Sequence, residues 1–446
     1  MSTIETPKRA AVADPLVPRS TSDKVDILGI GFGPANLSLA ITIEEHNATV
    51  PAAERVSAHF IEAQPQFGWH DGMLLPGATM QISFLKDLVS LRAPTSSYTF
   101  LNFLHERGRL TDFINLRTFF PTRREFHEYL SWAAERVSTP VSYGTKAFRI
   151  DRDDGDFVVS VLDQHGEVRQ IRTETVVLAT GLRPVLPDGV LPGPRVFHNH
   201  RLLIELEQLP ARTHGRFLVV GAGQSAAEVT AYLHDTFPDA EVHASIRRFG
   251  FSPSDDTPYA NRIFDPSAVD EFYTAPADLK EHLLRTHRST NYSAVDAELI
   301  HDLYQREYDE NLRGTRRLFV HRTTDVANLR EEPDGVAVTL RDLGDRGTVP
   351  LDVDAVVFAT GFAAADLRDL MGEGIDETTG FDGDEPVVAR DYSLRIPGLD
   401  GRIFLNGGVQ HSHGISSSLL SNLSIRAGEI LGAALHTQPL HTGSNQ

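Results

Sequence analysis

"VDILGIGFGPANLSLA", residues 25–40, is the stretch on which the fold turns. An apolar run, Val25 to Leu28, leads into Gly29, Gly31 and Gly33, and a helix-like run begins at Asn36. Strand, glycine turn and helix in this order bring backbone N–H groups to a diphosphate at a helix N-terminus, where a Cβ would collide. The strict fingerprint is broken: the sixth position from Gly29 is Pro34, and from Gly31 the pattern is GxGxxN. A glycine turn alone fits many loops, but the next strand supplies context. "RVSAHFIEA" (55–63) runs into Glu62, a carboxylate placed to accept from a ribose hydroxyl, as FAD or NAD requires.

The design recurs. In "RFLVVGAGQSAAE" (216–228) a buried-type strand meets Gly221, Gly223 and Ala226. The next strand, "EVHASIRR" (241–248), ends in Arg247 and Arg248 instead of an acid. Arginine there pairs with a 2′-phosphate and favours NADP; two solvated arginines are the plain alternative. A second feature is also doubled. "FVVSVLDQHGEVRQIRTETVVLATG" (157–181) reads as an alternating hairpin followed by an apolar strand and Ala179-Thr180-Gly181. "VAVTLRDLGDRGTVPLDVDAVVFATG" (336–361) does the same up to Ala359-Thr360-Gly361. Alternation marks half-buried antiparallel strands, and the VVLA and VVFA runs mark central ones.

Glycine turns and ATG strands in this order predict an α/β chain with two Rossmann-like dinucleotide-binding domains, the NADPH domain inserted into the FAD domain, and a small substrate-binding region. The expected divisions are a disordered tail 1–24, FAD-binding residues 25–198 and 346–436, and a tail 437–446. NADPH binding falls to 199–345, with a helical substrate-contacting segment at about 255–315.

The bulk numbers agree with such a chain. At 446 residues it exceeds one ordinary core, and its 41% hydrophobic and 23% charged content is that of a globular protein. A net charge of −19, spread along the chain, argues against nucleic acid or an anionic membrane as partner. No apolar stretch approaches a membrane span, and the N-terminal "MSTIETPKRAAVADPLVPRSTSDK" lacks the apolar core of a signal peptide, so a cytoplasmic protein is expected.

A chain that binds FAD and NADPH passes a hydride from nicotinamide to flavin. Cysteine is absent, which excludes the disulfide reductases of similar architecture. "LPGPRVFHNHRLL" (191–203) matches the FxGxxxH core of other flavin monooxygenases poorly. His411 and His413 stand two apart with no accompanying carboxylate, and no metal site is expected.

One lysine is out of place. The chain has five, and Lys86 alone lies in an apolar run, "MQISFLKDLVSLRAP" (80–94). Such a lysine can lie along the surface with its ammonium in water. The run also carries a resemblance. Together with "GIGFGPANLSLA", "GAGQSAAE", "DDTPYANRIFDP", "TNYSAVD", "DAVVFATGF" and "HSHGISSSLLSNLSIRAGEIL", it resembles the flavin-dependent N-hydroxylating monooxygenases, the L-ornithine and L-lysine N-monooxygenases of siderophore biosynthesis. The matching stretches span nearly the whole chain.

The resemblance implies roles. Lys86 binds the substrate carboxylate, and Asn261 and Asn291 hold the amino acid, amides that both donate and accept. As plain alternatives, each asparagine is a turn or capping residue. The FAD site takes in Gly29, Gly31, Gly33, Pro34, Asn36, Glu62, Trp69, Met80, Gln81 and Leu420. NADPH meets Gly221, Gly223, Gln224, Ser225, Arg247 and Arg248. Ser421, beside Leu420, lies on a loop closing over flavin and substrate, and Ser417 stands where the family more often has an acid. The implied reaction uses NADPH and O2, through a C4a-hydroperoxyflavin, to hydroxylate a terminal amine; no side-chain nucleophile is needed. An alkylamine has a pKa of roughly 10.4, so the site must hold it neutral, away from carboxylates. L-ornithine is the expected substrate, with L-lysine, a diamine, S-oxidation or Baeyer–Villiger chemistry as alternatives. Relatives are often tetramers, which makes a homotetramer an expectation.

Overall fold

The computed structural model describes residues 19–20, 24–209, 215–290, 294–375, 380–399 and 402–437. The expected tails fall mostly outside these residues. The end of the first is anchored, however: Arg19–Ser20 pairs in parallel with Arg169 and Gln170, and the Lys24 ammonium lies 3.1 Å from Asp156 and 2.7 Å from Glu174.

Two sheets carry the architecture. In the first, the spatial order is Val141–Ser142, Ala58–Ile61, Val25–Ile30, Val168–Leu178, Asp156–Asp163 and Thr145–Asp153. Ile403–Leu405 also pairs with Val168–Leu178. The second runs Leu318–Arg322, Glu241–Ile246, Arg216–Val220, Ala355–Phe358, Val196–His198, with every pairing parallel. Along the chain, every strand of the second sheet falls between Val168–Leu178 and Ile403–Leu405 of the first.

Sheet membership departs from the divisions expected at 198 and 346. Val196–His198 and Ala355–Phe358 both lie in the second sheet, because the apolar VVF run pairs with Phe217–Val220. A three-stranded antiparallel sheet, Thr324–Glu332, Gly335–Asp342 and Thr348–Val353, precedes it.

The first ATG feature is also more continuous than a hairpin followed by a strand. Val168–Leu178 is one eleven-residue strand. Its first half pairs antiparallel with Asp156–Asp163 and alternates in burial; its end runs parallel between Val25–Ile30 and Ile403–Leu405 and is wholly buried. A strand covered on both faces needs the apolar run that Val176, Val177 and Leu178 supply.

Each sheet sends out a long excursion after its second strand, residues 62–140 from the first and 247–317 from the second. The first packs an aromatic cluster of Phe100, Phe103, Phe113, Phe126, Tyr129 and Trp132 into the main core. The second is helical over Pro266–Thr274, Ala277–Thr286 and Ala297–Arg313. No helix among the described residues is long and apolar enough to cross a membrane.

Candidate functional site

The two glycine turns are built alike. Gly31 has φ +87°, and a Cβ there would lie 2.3 Å from the carbonyl oxygen of Ala179; Gly221 has φ +148°, and its Cβ would lie 2.4 Å from that of Ala359. Each turn is thus pressed onto the alanine of an ATG segment, with Ala179 N–H donating to Ile30 and Ala359 N–H to Val220 at 2.8 Å each. Positive φ and backbone contact leave room for glycine alone. Gly29 packs against the Phe60 ring. Gly33 differs: it precedes the helix Pro34–Thr49, and a Cβ there would meet nothing within 4 Å.

Gly33 and Pro34 open onto a cavity of about 1150 Å³. Trp69, Ala179–Gly181, Asn406–Gly408 and Ser417–Leu420 also line it. Asn36 stands behind the turn, fully buried, donating to the Gly31 carbonyl at 2.8 Å, and is not part of the cavity wall. The Glu62 carboxylate accepts from Phe32 N–H at 2.7 Å and from Gln64 N–H at 2.8 Å, so it also holds the turn.

Lys86 is oriented by its neighbours. Asp87, 4% exposed, accepts from the N–H groups of Val89, Ser90 and Phe100 and from the Ser90 hydroxyl, while Leu88 N–H donates to the Tyr129 hydroxyl. Burial pushes the Asp87 carboxyl up, against the pull of those donors. With Asp87 and Leu88 tied inward, Lys86 is half-buried with Nζ 5.6 Å from the centroid of Phe264. Among the described residues no carboxylate lies within 4 Å of Nζ. Burial holds its pKa below the usual lysine range, with Asp265 pulling the other way.

Phe264 ends the short 3-10 helix Ala260–Phe264, which also carries Asn261. Asn261 is exposed, and its amide donates to the carbonyl of Asp256 at 2.8 Å, a turn-holding bond. Asn291 lies outside the described residues. Met80 is buried in the main core. The Gln81 amide donates to Asp296 at 2.8 Å, and Gln224 donates to the same carboxylate at 2.9 Å while accepting from Asp296 N–H at 2.9 Å. Arg123 grips Glu228 through both terminal nitrogens, at 3.0 and 2.8 Å, and donates to the Met73 carbonyl. These two links join the excursion of the first sheet to the second. Ser225 is the second residue of the helix Gln224–Thr236, and Arg247 and Arg248 come after strand Glu241–Ile246 on the surface.

The segment 415–421 is the common wall. Ser417–Leu420 line the cavity on one side, and Ile415–Ser418 packs against Ala260–Phe264, next to Lys86, on the other. Six buried side-chain atoms among the described residues lack a hydrogen-bond partner, and four are here: the hydroxyls of Ser417 and Ser421 and both amide atoms of Asn422. Buried polar atoms are normally satisfied, and of these residues Ser417 is the one that also lines the cavity. Asp296, Asn422 and Arg426 lie inside the stretches that carry the resemblance, yet neither they nor Asn406 receive a role from it; the sequence marks Arg426 as it marks Lys86, a cation inside an apolar run, "LSIRAGEILGAAL".

The sequence compares with known proteins over most of its length. Residues 23–364 match the family model described as L-lysine 6-monooxygenase/L-ornithine 5-monooxygenase. The chain belongs to this family. The family is one of flavin-dependent N-hydroxylating monooxygenases of the ornithine/lysine type. An L-ornithine N(5)-oxygenase of Arthrobotrys oligospora is 40% identical over 91% of this chain and 87% of its own. Among solved structures, the ornithine N-hydroxylase KtzI of Kutzneria, with reduced FAD, NADP⁺ and L-ornithine, is 42% identical with a TM-score of 0.87, covering 92% of this chain and 99% of its own. The ornithine hydroxylase PvdA of Pseudomonas aeruginosa is 34% identical with a TM-score of 0.84, covering 93% and 99%.

FAD fits the residues present in this family member, and for NADPH the support is the family itself. The open space at Gly33 before a helix N-terminus suits a diphosphate, and the cavity with its unpartnered Ser417 hydroxyl suits a large polar group.

Proposed function

We propose that this chain hydroxylates the terminal amine of L-ornithine with NADPH and O2, giving N5-hydroxyornithine for a siderophore or related hydroxamate. The observation that carries the reading is Lys86: a half-buried ammonium with no carboxylate within 4 Å among the described residues, facing an element that bears Asn261. A cation so placed is costly unless an anion meets it, and an amino-acid carboxylate is such an anion. The ornithine enzymes of Arthrobotrys, Kutzneria and Pseudomonas support the choice of amino acid.

Gly33, Pro34, Trp69, Met80, Gln81 and Leu420 hold FAD, with Gly29, Gly31, Asn36 and Glu62 shaping the turn. Gly221, Gly223, Gln224, Ser225, Arg247 and Arg248 take NADPH. FAD, when bound and reduced, supplies the activation of O2. The side chains do the rest. Lys86 anchors the carboxylate, and Asn261 and Asn291 fix the amino acid. The neutral 415–421 segment, with Ser421, gives the amine no carboxylate to hold its proton, which keeps it nucleophilic. Anchoring one end and excluding water at the other presents the nitrogen in a reactive position.

The test is hydroxylamine formation with FAD and NADPH across L-ornithine, L-lysine, putrescine and cadaverine. Product from L-ornithine well above the others supports the proposal. Product from a diamine would remove the carboxylate role of Lys86, and peroxide alone with every amine would remove the N-hydroxylation.

A further inference from the structure

One buried cation stands behind the 415–421 wall. Arg426, 3% exposed, lies on the helix Leu423–Thr437. Its Nη1 donates to the Ser417 carbonyl at 2.6 Å and its Nε to Oδ1 of Asn406 at 2.9 Å. Asn406 donates to Oδ1 of Asn36 at 3.1 Å, and Asn36 to the carbonyl of Gly31 at 2.8 Å. This hydrogen-bonded strut runs from the first glycine turn to the wall through buried side chains.

A guanidinium keeps its charge, and burying one without a carboxylate is costly. Among the described residues none lies within 4 Å of Arg426, and Glu429 on the same helix is gripped by Arg390 at 3.2 and 3.0 Å. The acceptors of Arg426 are neutral oxygens on two separate segments. Only the planar fork reaches both at once; an ammonium at the end of a lysine chain does not reproduce it. The arrangement fixes shape.

We propose that Arg426 is a positioning residue for the 415–421 segment, so that filling the glycine turn and ordering the wall beside the substrate are one event. The catalytic consequence rests on the proposed function. The wall keeps the reaction on RNH2 + O2 + NADPH + H⁺ → RNHOH + H2O + NADP⁺ and away from O2 + NADPH + H⁺ → H2O2 + NADP⁺.

Amide hydrogen exchange of the full-length protein, with and without FAD and with no amine present, tests it. FAD is expected to slow exchange at residues 30–36 in wild type, Arg426→Lys and Arg426→Gln. At 413–421 the slowing seen in wild type falls at least tenfold in both variants. With L-ornithine added, hydroxylamine formed per NADPH oxidised drops at least threefold. Wild-type protection of 413–421 in Arg426→Gln would overturn the proposal, as would an equal loss of protection across the whole FAD side. If Arg426→Gln does not accumulate folded, Asn406→Ala breaks the strut one link away and is read the same way. Because the exchange is measured without amine, a wrong substrate assignment leaves it untouched.

Discussion

The two nucleotide-binding regions superimpose in logic, strand for strand, until the last strand. Each has a first strand (Val25–Ile30, Arg216–Val220), a glycine turn, a helix, a second strand, a long excursion and a third strand, and each turn is pressed onto an ATG alanine. The fourth strand arrives in both by way of an antiparallel ribbon. The fifth does not match: Ile403–Leu405 comes from the chain's end in the first sheet, but Val196–His198 comes from before the first strand in the second. Backbone geometry is therefore shared, and the residues proposed above to tell the two regions apart lie beyond the second strand: Glu62 and then Lys86 in one, Arg247 and then Asn261 in the other. The excursions are where the copies diverge, and they meet at Lys86 and Phe264.

The largest expected effect tests the shared part. Gly31→Ala and Gly221→Ala each force a Cβ onto backbone at positive φ, at a cost of about 3 kcal/mol or more, measured by denaturant unfolding. A variant at either position with unchanged stability would break the equivalence of the turns.

Lys86→Ala tests the divergent part. Losing a charge-assisted bond of about 1.5–3 kcal/mol should raise the substrate KM by roughly ten- to a hundredfold while NADPH-driven flavin reduction stays as it was. The pH profile has a definite sign. Burial depresses the Lys86 pKa, so the anchor is charged at low pH and is lost on raising pH through a value below the usual lysine range. The substrate amine must lose its proton, which sets the acid limb. kcat/KM for L-ornithine should then be bell-shaped, and the alkaline fall should vanish in Lys86→Ala.

Arg247→Ala should lower the preference for NADPH over NADH about tenfold, or ~1.4 kcal/mol, with FAD affinity unchanged. An equal loss toward both nucleotides would assign Arg247 to something other than a 2′-phosphate. The smallest change in stability is at Gly33→Ala: with open space around it, unfolding should shift by less than about 0.5 kcal/mol, while FAD titration weakens.

The strands and both turns were legible in the sequence because they rest on local pattern: apolar runs, alternation and glycine where a Cβ is forbidden. Lys86 was legible as an anomaly in an apolar run. Sheet membership at Val196–His198 and Ala355–Phe358 was not, since a VVF run reads alike in either sheet and only its pairing with Phe217–Val220 decides. Nor were the tasks of Glu62, Asn36 and Asn261 within the folded chain. Each bonds to backbone groups whose nearness depends on turn geometry, and a motif names the residue type without its partner.

Lys86 and Phe264 belong to different halves, joined by Arg123–Glu228 and by Gln81–Asp296–Gln224. A molecule anchored at that boundary is gauged across a joint, like a workpiece between the jaws of a caliper. With an amino acid held at Lys86 as proposed, substitutions that reset this joint are expected to change which chain length is hydroxylated without replacing any residue that touches the molecule.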